Sequence, residues 1–158
     1  MNYVKLVAVF AFVVLFSAVG LAQKEAPAAK PAFDAALAAK LGADELGMRS
    51  YVLVVLKTGP KRVPDGRERD EMFARHLANI RRLAAEGKMA LAGPLDGVDG
   101  WRGLFIFAVA DIEEAKKLVA TDPVIIKGEM IAEYHKYYGS AALMMVNEIN
   151  GKIAKKSF

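Results

Sequence analysis

Residues Phe73–Leu95 read FARHLANIRRLAAEGKMALAGPL, and the rest of the chain is organised around this stretch. Phe73, Leu77, Ile80 and Ala84 recur at helical spacing, and His76 lies on the same stripe, three residues after Phe73 and four before Ile80. The helix therefore carries an imidazole toward whatever it packs on. Gly87 supplies the left-handed stop, and Lys88 to Ala92 read as a short strand running into a Gly93-Pro94 turn. One titratable group and one tight turn arrive together.

Upstream, Arg49 to Lys57 contains YVLVVL, six consecutive apolar residues rich in Val and bounded by Thr58-Gly59-Pro60. A central strand with both faces covered has this composition. The polar stretch Lys61 to Arg69, with Pro64, Asp65 and Gly66, reads as a loop leading into the helix. Downstream, Asp96 to Gly100 makes a hairpin connection into a strand from Trp101 to Ala110. Trp101, Phe105, Phe107 and Val109 point one way along it, and Leu104, Ile106 and Ala108 point the other, so neither face is polar. Asp111 caps a second helix with Glu114 at the capping-box position, and Ala115, Leu118 and Val119 form its apolar stripe. Pro123 ends that helix at Thr121-Asp122-Pro123. A last strand, Glu129 to Tyr138, carries Glu133 and Lys136 and is an edge candidate closed by Gly139 and Ser140.

The order strand, helix, strand, strand, helix, strand defines an α+β, ferredoxin-like βαββαβ arrangement, an antiparallel sheet with two helices on one face. Helices cover only one face of such a sheet, yet two strands are apolar on both. The economical cover for the second face is the same face of another copy, so the expected partner is self, in a homodimer with sheets packed face to face.

At 158 residues, 54% hydrophobic and 25% charged, the chain suits one domain with a real core. Residues 1–22 combine Lys5, an apolar run from Leu6 to Val19, and small Gly20 and Ala22 near a cut, the pattern of a secretory signal peptide. The expected location is secreted or periplasmic, with no membrane association after cleavage; a retained anchor is the alternative. Residues 23–48 form an Ala- and Pro-rich tether with a possible short helix from about Asp34, residues 49–139 the domain, and 140–158 an extension whose pattern fits a strand or a helix. No cysteine occurs, so the domain stands on packing alone. Cleavage would lower the formal charge from +4 to +3, a surplus too small and scattered to argue for nucleic acid.

With the first strand running up, the first helix runs down and the second up. One end of the fold thus collects His76, Asp122, Gly93-Pro94-Leu95, the hairpin before Trp101 and the loop from Thr58 to Arg69. A carboxylate beside an imidazole favours the charged ring and fixes its tautomer, which makes the pair usable in general acid/base chemistry. No nucleophile accompanies it: there is no Cys, no Ser in a strained elbow, and no second His close enough to build a metal site. A histidine on an apolar helix face also serves as a hydrogen-bonded core residue, and Asp before Pro is a routine turn residue. His135, among tyrosines on the edge strand, reads as surface.

These residues together resemble the YCII-related family of small dimeric α+β barrels. The resemblance runs through His76-Leu77, Leu83 to Gly87 (LAAEG), Ala92-Gly93-Pro94, Gly103, Glu113-Glu114-Ala115, Asp122-Pro123, Gly128 and Tyr138-Gly139. It implies a ferredoxin-like subunit dimerised through its sheet, with His76 and Asp122 as the catalytic pair. Some members of the family are associated with elimination chemistry on chlorinated hydroxyaromatics. Gly93, Pro94, Trp101 and Arg102 are the candidate substrate contacts. Phe73 stands where an Arg three residues before the His is sometimes found, which leaves Arg67, Arg69 and Arg102 as the candidates for an anionic substrate. The expectation is a cofactor-independent lyase or hydrolase acting on a small polar or aromatic molecule. The alternative is a non-catalytic small-molecule-binding or assembly module of the cell envelope; haem binding lacks an open pocket pattern around either histidine.

Overall fold

The computed structural model of the protein describes residues 31–156. The expected signal peptide and the first part of the tether lie outside the described residues.

The Val-rich run forms β1 (Met48–Thr58), which pairs antiparallel on one side with β3 (Trp101–Phe107) and on the other with β4 (Met130–Ser140). β2 (Met89–Pro94) pairs with β3, giving the sheet order β2-β3-β1-β4, with β2 and β4 at the edges. Val54 lies opposite both Phe105 and Tyr134, and the period of two puts Val52, Val54, Leu56, Phe105 and Phe107 on one face. Onto that face pack α2 (Arg67–Ala85), α3 (Ile112–Val119) and the short α4 (Pro123–Ile126), through Met72, Ile80, Leu83, Ala115, Val119 and Val124. The fold is therefore the ferredoxin-like α+β arrangement that the order of elements predicts.

Two local readings change. The loop before α2 ends at Gly66, because the helix already begins at Arg67; Glu68 and Asp70 in its first turn complement the positive end of the helix dipole, and Met72 is buried. Gly93-Pro94 is not a turn but the end of β2, opposite Leu104 and Gly103, and an edge strand tolerates a proline whose missing N–H the ladder does not need. The turn lies beyond it, where Val98–Gly100 form a 3₁₀ turn and Asp99 has a left-handed φ of 54°. Gly87, at φ 69°, makes the reversal from α2 into β2.

At the second helix the Asp111 carboxylate accepts the Glu114 N–H at 2.9 Å, while the Glu114 carboxylate reaches the N–H of Ala110, one residue before the cap. Below Asp122 the chain does not simply turn: Asp122 caps α4, whose first residue is Pro123.

The second face of the sheet holds Tyr51, Ala90 and Ile106 with Leu53, Leu91, Leu104 and Ala108, and part of its cover comes from the chain itself. The C-terminal extension turns as a 3₁₀ helix at Ala141–Met145, sets Leu143 and Met144 on this face, and continues as α5 (Val146–Ile153). Asn147 Nδ2 donates to the Met89 carbonyl at 2.8 Å, which ties α5 to the edge strand. The possible helix after the tether is α1 (Ala35–Leu41), capped by Asp34 and held by Arg49 Nη1, which donates to the Leu41 carbonyl at 2.8 Å. Among the described residues no helix is long and apolar enough to cross a membrane.

Candidate active site

His76 projects from the buried stripe of α2, and Asp122 sits at the junction of α3 and α4. The topology closes a separation of 46 residues: His76 Nδ1 lies 2.9 Å from Asp122 Oδ1 and 2.8 Å from Oδ2. Oδ1 also accepts the Val124 N–H at 3.1 Å, so one carboxylate both caps α4 and holds the imidazole. Asp122 is 1% exposed and His76 9%. The ring is packed edge-on by Phe73, at 6.1 Å between centroids and 90°, and tilted against Phe105 at 6.1 Å.

A carboxylate only accepts, so the neutral ring carries its proton on Nδ1 and keeps its lone pair on Nε2. Among the described residues Nε2 has no hydrogen-bond partner, and it is not sealed from solvent, since the one buried side-chain nitrogen or oxygen without a partner among them is Arg49 Nε. His76 lines a cleft of about 610 Å³, within the range that holds small-molecule ligands. Its walls are largely apolar, with Leu56, Phe73, Leu77, Phe105 and Met130 prominent, and Gly93, Pro94 and Arg102 border it. Asp122 lies behind the ring rather than on the cleft.

Trp101, at the start of β3 opposite Lys57, is 44% exposed and is not among the residues that line the cleft. Of the three candidate arginines, Arg102 alone borders the cleft. Arg67 is on the surface, 3.8 Å from Glu71, and Arg69 is consumed by a buried ion pair. His135 is exposed and bonds Glu133 at 2.8 Å.

That ion pair is a feature the sequence does not announce. Glu129 is 2% exposed and receives Arg69 Nη2 at 2.8 Å and the Val63 N–H at 2.7 Å, with Arg102 Nη1 3.8 Å away. Burial alone would raise the Glu129 carboxyl. The Arg69 bond, the Val63 amide and the charges of Arg69 and Arg102 outweigh it and hold the group below the ordinary carboxylate range. The Arg69 guanidinium lies over the Phe73 ring at 4.9 Å, so the cluster steadies the residue that packs on His76. Among the described residues no three His, Cys, Asp or Glu side chains gather as a metal site.

The YCII-related domain matches residues 50–135, and the chain belongs to that family. Among solved structures, the 5-chloro-2-hydroxyhydroquinone dehydrochlorinase TftG of Burkholderia phenoliruptrix AC1100, in complex with 2,5-dihydroxybenzoquinone, is similar at 25% identity and a TM-score of 0.39. The match covers 52% of this chain and 90% of that one. The search of curated proteins finds no match.

Proposed function

We propose that the protein is a cofactor-independent enzyme of the lyase or hydrolase type, acting on a small polar or aromatic molecule. His76 Nε2 is the general acid/base, and Asp122 is the positioning residue that fixes the ring. The observation that carries this reading is the division of labour on one imidazole: Nδ1 is held by a buried carboxylate, while Nε2 is unpartnered and solvent-reachable on a residue that lines a ligand-sized cleft. A substrate bound against Phe105 and Leu77 would present an acidic proton or a leaving-group oxygen to Nε2, and Gly93, Pro94 and Arg102 would border it. Proton transfer by a positioned group of this kind is worth about a hundredfold to ten-thousandfold in rate.

The test is a panel of small hydroxyaromatic and carboxylic acids incubated with the protein in D₂O and followed by NMR for elimination, hydrolysis or deuterium incorporation. His76→Ala should keep the circular dichroism and oligomeric state of the parent and lose the reaction by at least a hundredfold. A variant that retains the parent's rate would remove His76 from the chemistry.

The proposal includes two parts beyond the site. The protein works as a homodimer through the portion of the second sheet face that its own tail leaves uncovered, where Leu53, Leu91 and Leu104 are only partly buried. It acts in the periplasm or outside the cell, a placement that rests on the signal-like pattern of residues 1–22.

A further inference from the structure

Two polar side chains line the His76 cleft, His76 itself and Arg102; its other walls are aliphatic, aromatic, glycine or proline. Among the described residues no carboxylate lines it. Asp122 stands behind the imidazole, with its oxygens engaged by Nδ1 and the Val124 N–H. A cation thus faces the cleft without an anion on the same wall.

The Arg102 guanidinium is near a counterion but not bonded to it. Nη1 lies 3.8 Å from Glu129 Oε1, beyond hydrogen-bond length. Both oxygens of Glu129 already hold a donor, Oε1 the Arg69 Nη2 at 2.8 Å and Oε2 the Val63 N–H at 2.7 Å. Arg69 therefore meets the buried carboxylate at close range, and Arg102 is left in the second rank. Among the described residues the Arg102 side chain makes no hydrogen bond, and since the one buried orphan nitrogen is Arg49 Nε, the nitrogens of Arg102 are open to solvent. Its donors are unspent.

The sheet fixes where this cation stands. The Arg102 carbonyl accepts the Leu95 N–H at 3.0 Å, and the next residue, Gly103, lies opposite Pro94 in the ladder. The side chain is 27% exposed, so the charge is partly withdrawn from water beside apolar walls. There it attracts an opposite charge more strongly than it would on an open surface.

We infer that the substrate of this chain is a small organic carboxylate, its carboxylate received by Arg102 and the rest of the molecule lying against the apolar walls of the cleft that His76 also lines. The inference rests on the acid/base reading of the His76 cleft and names the substrate class of that site. A guanidinium presents paired N–H donors in one plane, which match the two oxygens of a carboxylate. A neutral ligand would leave the Arg102 charge unmet in a partly dehydrated cleft.

The probes are benzoate, cyclohexanecarboxylate and hexanoate, each beside its neutral amide, titrated by calorimetry while the His76 ring signals are followed by NMR. The carboxylates should bind about tenfold or more tighter than the amides, as a charge-assisted bond implies, and should move the His76 signals. Arg102→Gln, at a partly exposed strand position, should keep the parent's circular dichroism spectrum, bind the amides like the parent, and bind the carboxylates no better than the amides. Arg102→Lys, which keeps the charge and loses the fork, should fall between the two. Equal affinity of the parent for acids and amides would overturn the inference, as would a preference for the acids that survives in Arg102→Gln. So would His76 signals that no carboxylate moves. None of these results touches the acid/base reading, which the His76→Ala rate decides; an unchanged rate in His76→Ala with the acid preference intact would remove that reading and leave the carboxylate site standing.

Discussion

Replacing Asp122 by Asn separates the two roles of its carboxylate. The Asn side-chain oxygen still accepts the Val124 N–H that Asp122 Oδ1 accepts at 3.1 Å, so the cap of α4 survives; Asn and Asp are nearly equivalent there. The other atom changes from acceptor to donor. An amide N–H₂ facing His76 Nδ1, now 2.8 Å from Oδ2, favours a lone pair there over the N–H that Oδ1, 2.9 Å away, accepts in the parent, so the ring proton should move to Nε2. The imidazole then offers the cleft an N–H instead of a base. A hydrogen bond to a charged group contributes about 1.5–3 kcal/mol and a neutral one about 1 kcal/mol, so the exchange should cost about 1–2 kcal/mol. For a folded region of this size that lowers the melting temperature by about 4–8 °C. Long-range ¹H–¹⁵N NMR on labelled protein reads the tautomer directly: the parent should show a protonated Nδ1 and a bare Nε2, and Asp122→Asn the reverse. Base-dependent turnover should fall about a hundredfold or more with the tautomer. A variant whose ring keeps its proton on Nδ1, or a parent already protonated on Nε2 alone, would refute the argument that Asp122 prepares Nε2 for chemistry.

Glu129→Gln tests the buried pair with Arg69. Because the folded carboxyl is held below its ordinary value, its contribution is present above about pH 4.5 and is lost as pH falls through the folded value. The substitution should cost about 3 kcal/mol at pH 7 and progressively less toward pH 3; denaturant unfolding that gives the same difference at both pH values would deny the pair its ionic role. Gly59→Ala places a β-carbon 2.2 Å from the Gly128 carbonyl oxygen, beside the bond from Gly59 N–H to the Glu129 carbonyl. Backbone must move, and the expected cost is about 3 kcal/mol or more; a melting temperature within a degree or two of the parent would contradict that geometry. Light scattering should give twice the protomer mass for the parent, and Leu104→Glu, on the second sheet face, should yield folded monomer. A monomeric parent would show that the tail alone suffices to cover that face.

The sheet was legible because its signals are local. Six apolar residues from Tyr51 to Leu56 cannot form a surface strand, and Phe105 and Phe107 against Leu104 and Ile106 show period two in the open. Once the elements were ordered, the meeting of His76 and Asp122 followed from topology. What failed were readings whose outcome depends on distant partners. Gly93-Pro94 carries the same local signal in a turn and at the end of an edge strand, and only the pairing with Gly103 and Leu104 distinguishes them. The sequence AALMMVNEIN becomes helical because Leu143 and Met144 find the second face of the sheet and Asn147 finds Met89, none of which a local pattern encodes. Glu129 looks like an ordinary charge before a strand, yet its amide partner Val63 is 66 residues away.

The reading of Asp before Pro as a backbone cap and its reading as a member of a catalytic pair are not rivals in this fold. The cap bond fixes Oδ1 against the Val124 N–H, burial removes water as a competitor, and Nδ1 of His76 completes the coordination of the carboxylate. The ring is then held by Asp122 at one nitrogen, by Phe73 at its edge and by Phe105 across its face, with Arg69 and Glu129 steadying Phe73 from behind. A histidine retained only for packing would need both nitrogens satisfied, since a polar atom shut away without a partner costs about 1–3 kcal/mol. Here the structure satisfies one nitrogen twice over and leaves the other without a partner among the described residues, on a side chain that lines a cleft, which is the arrangement the proposed acid/base role requires.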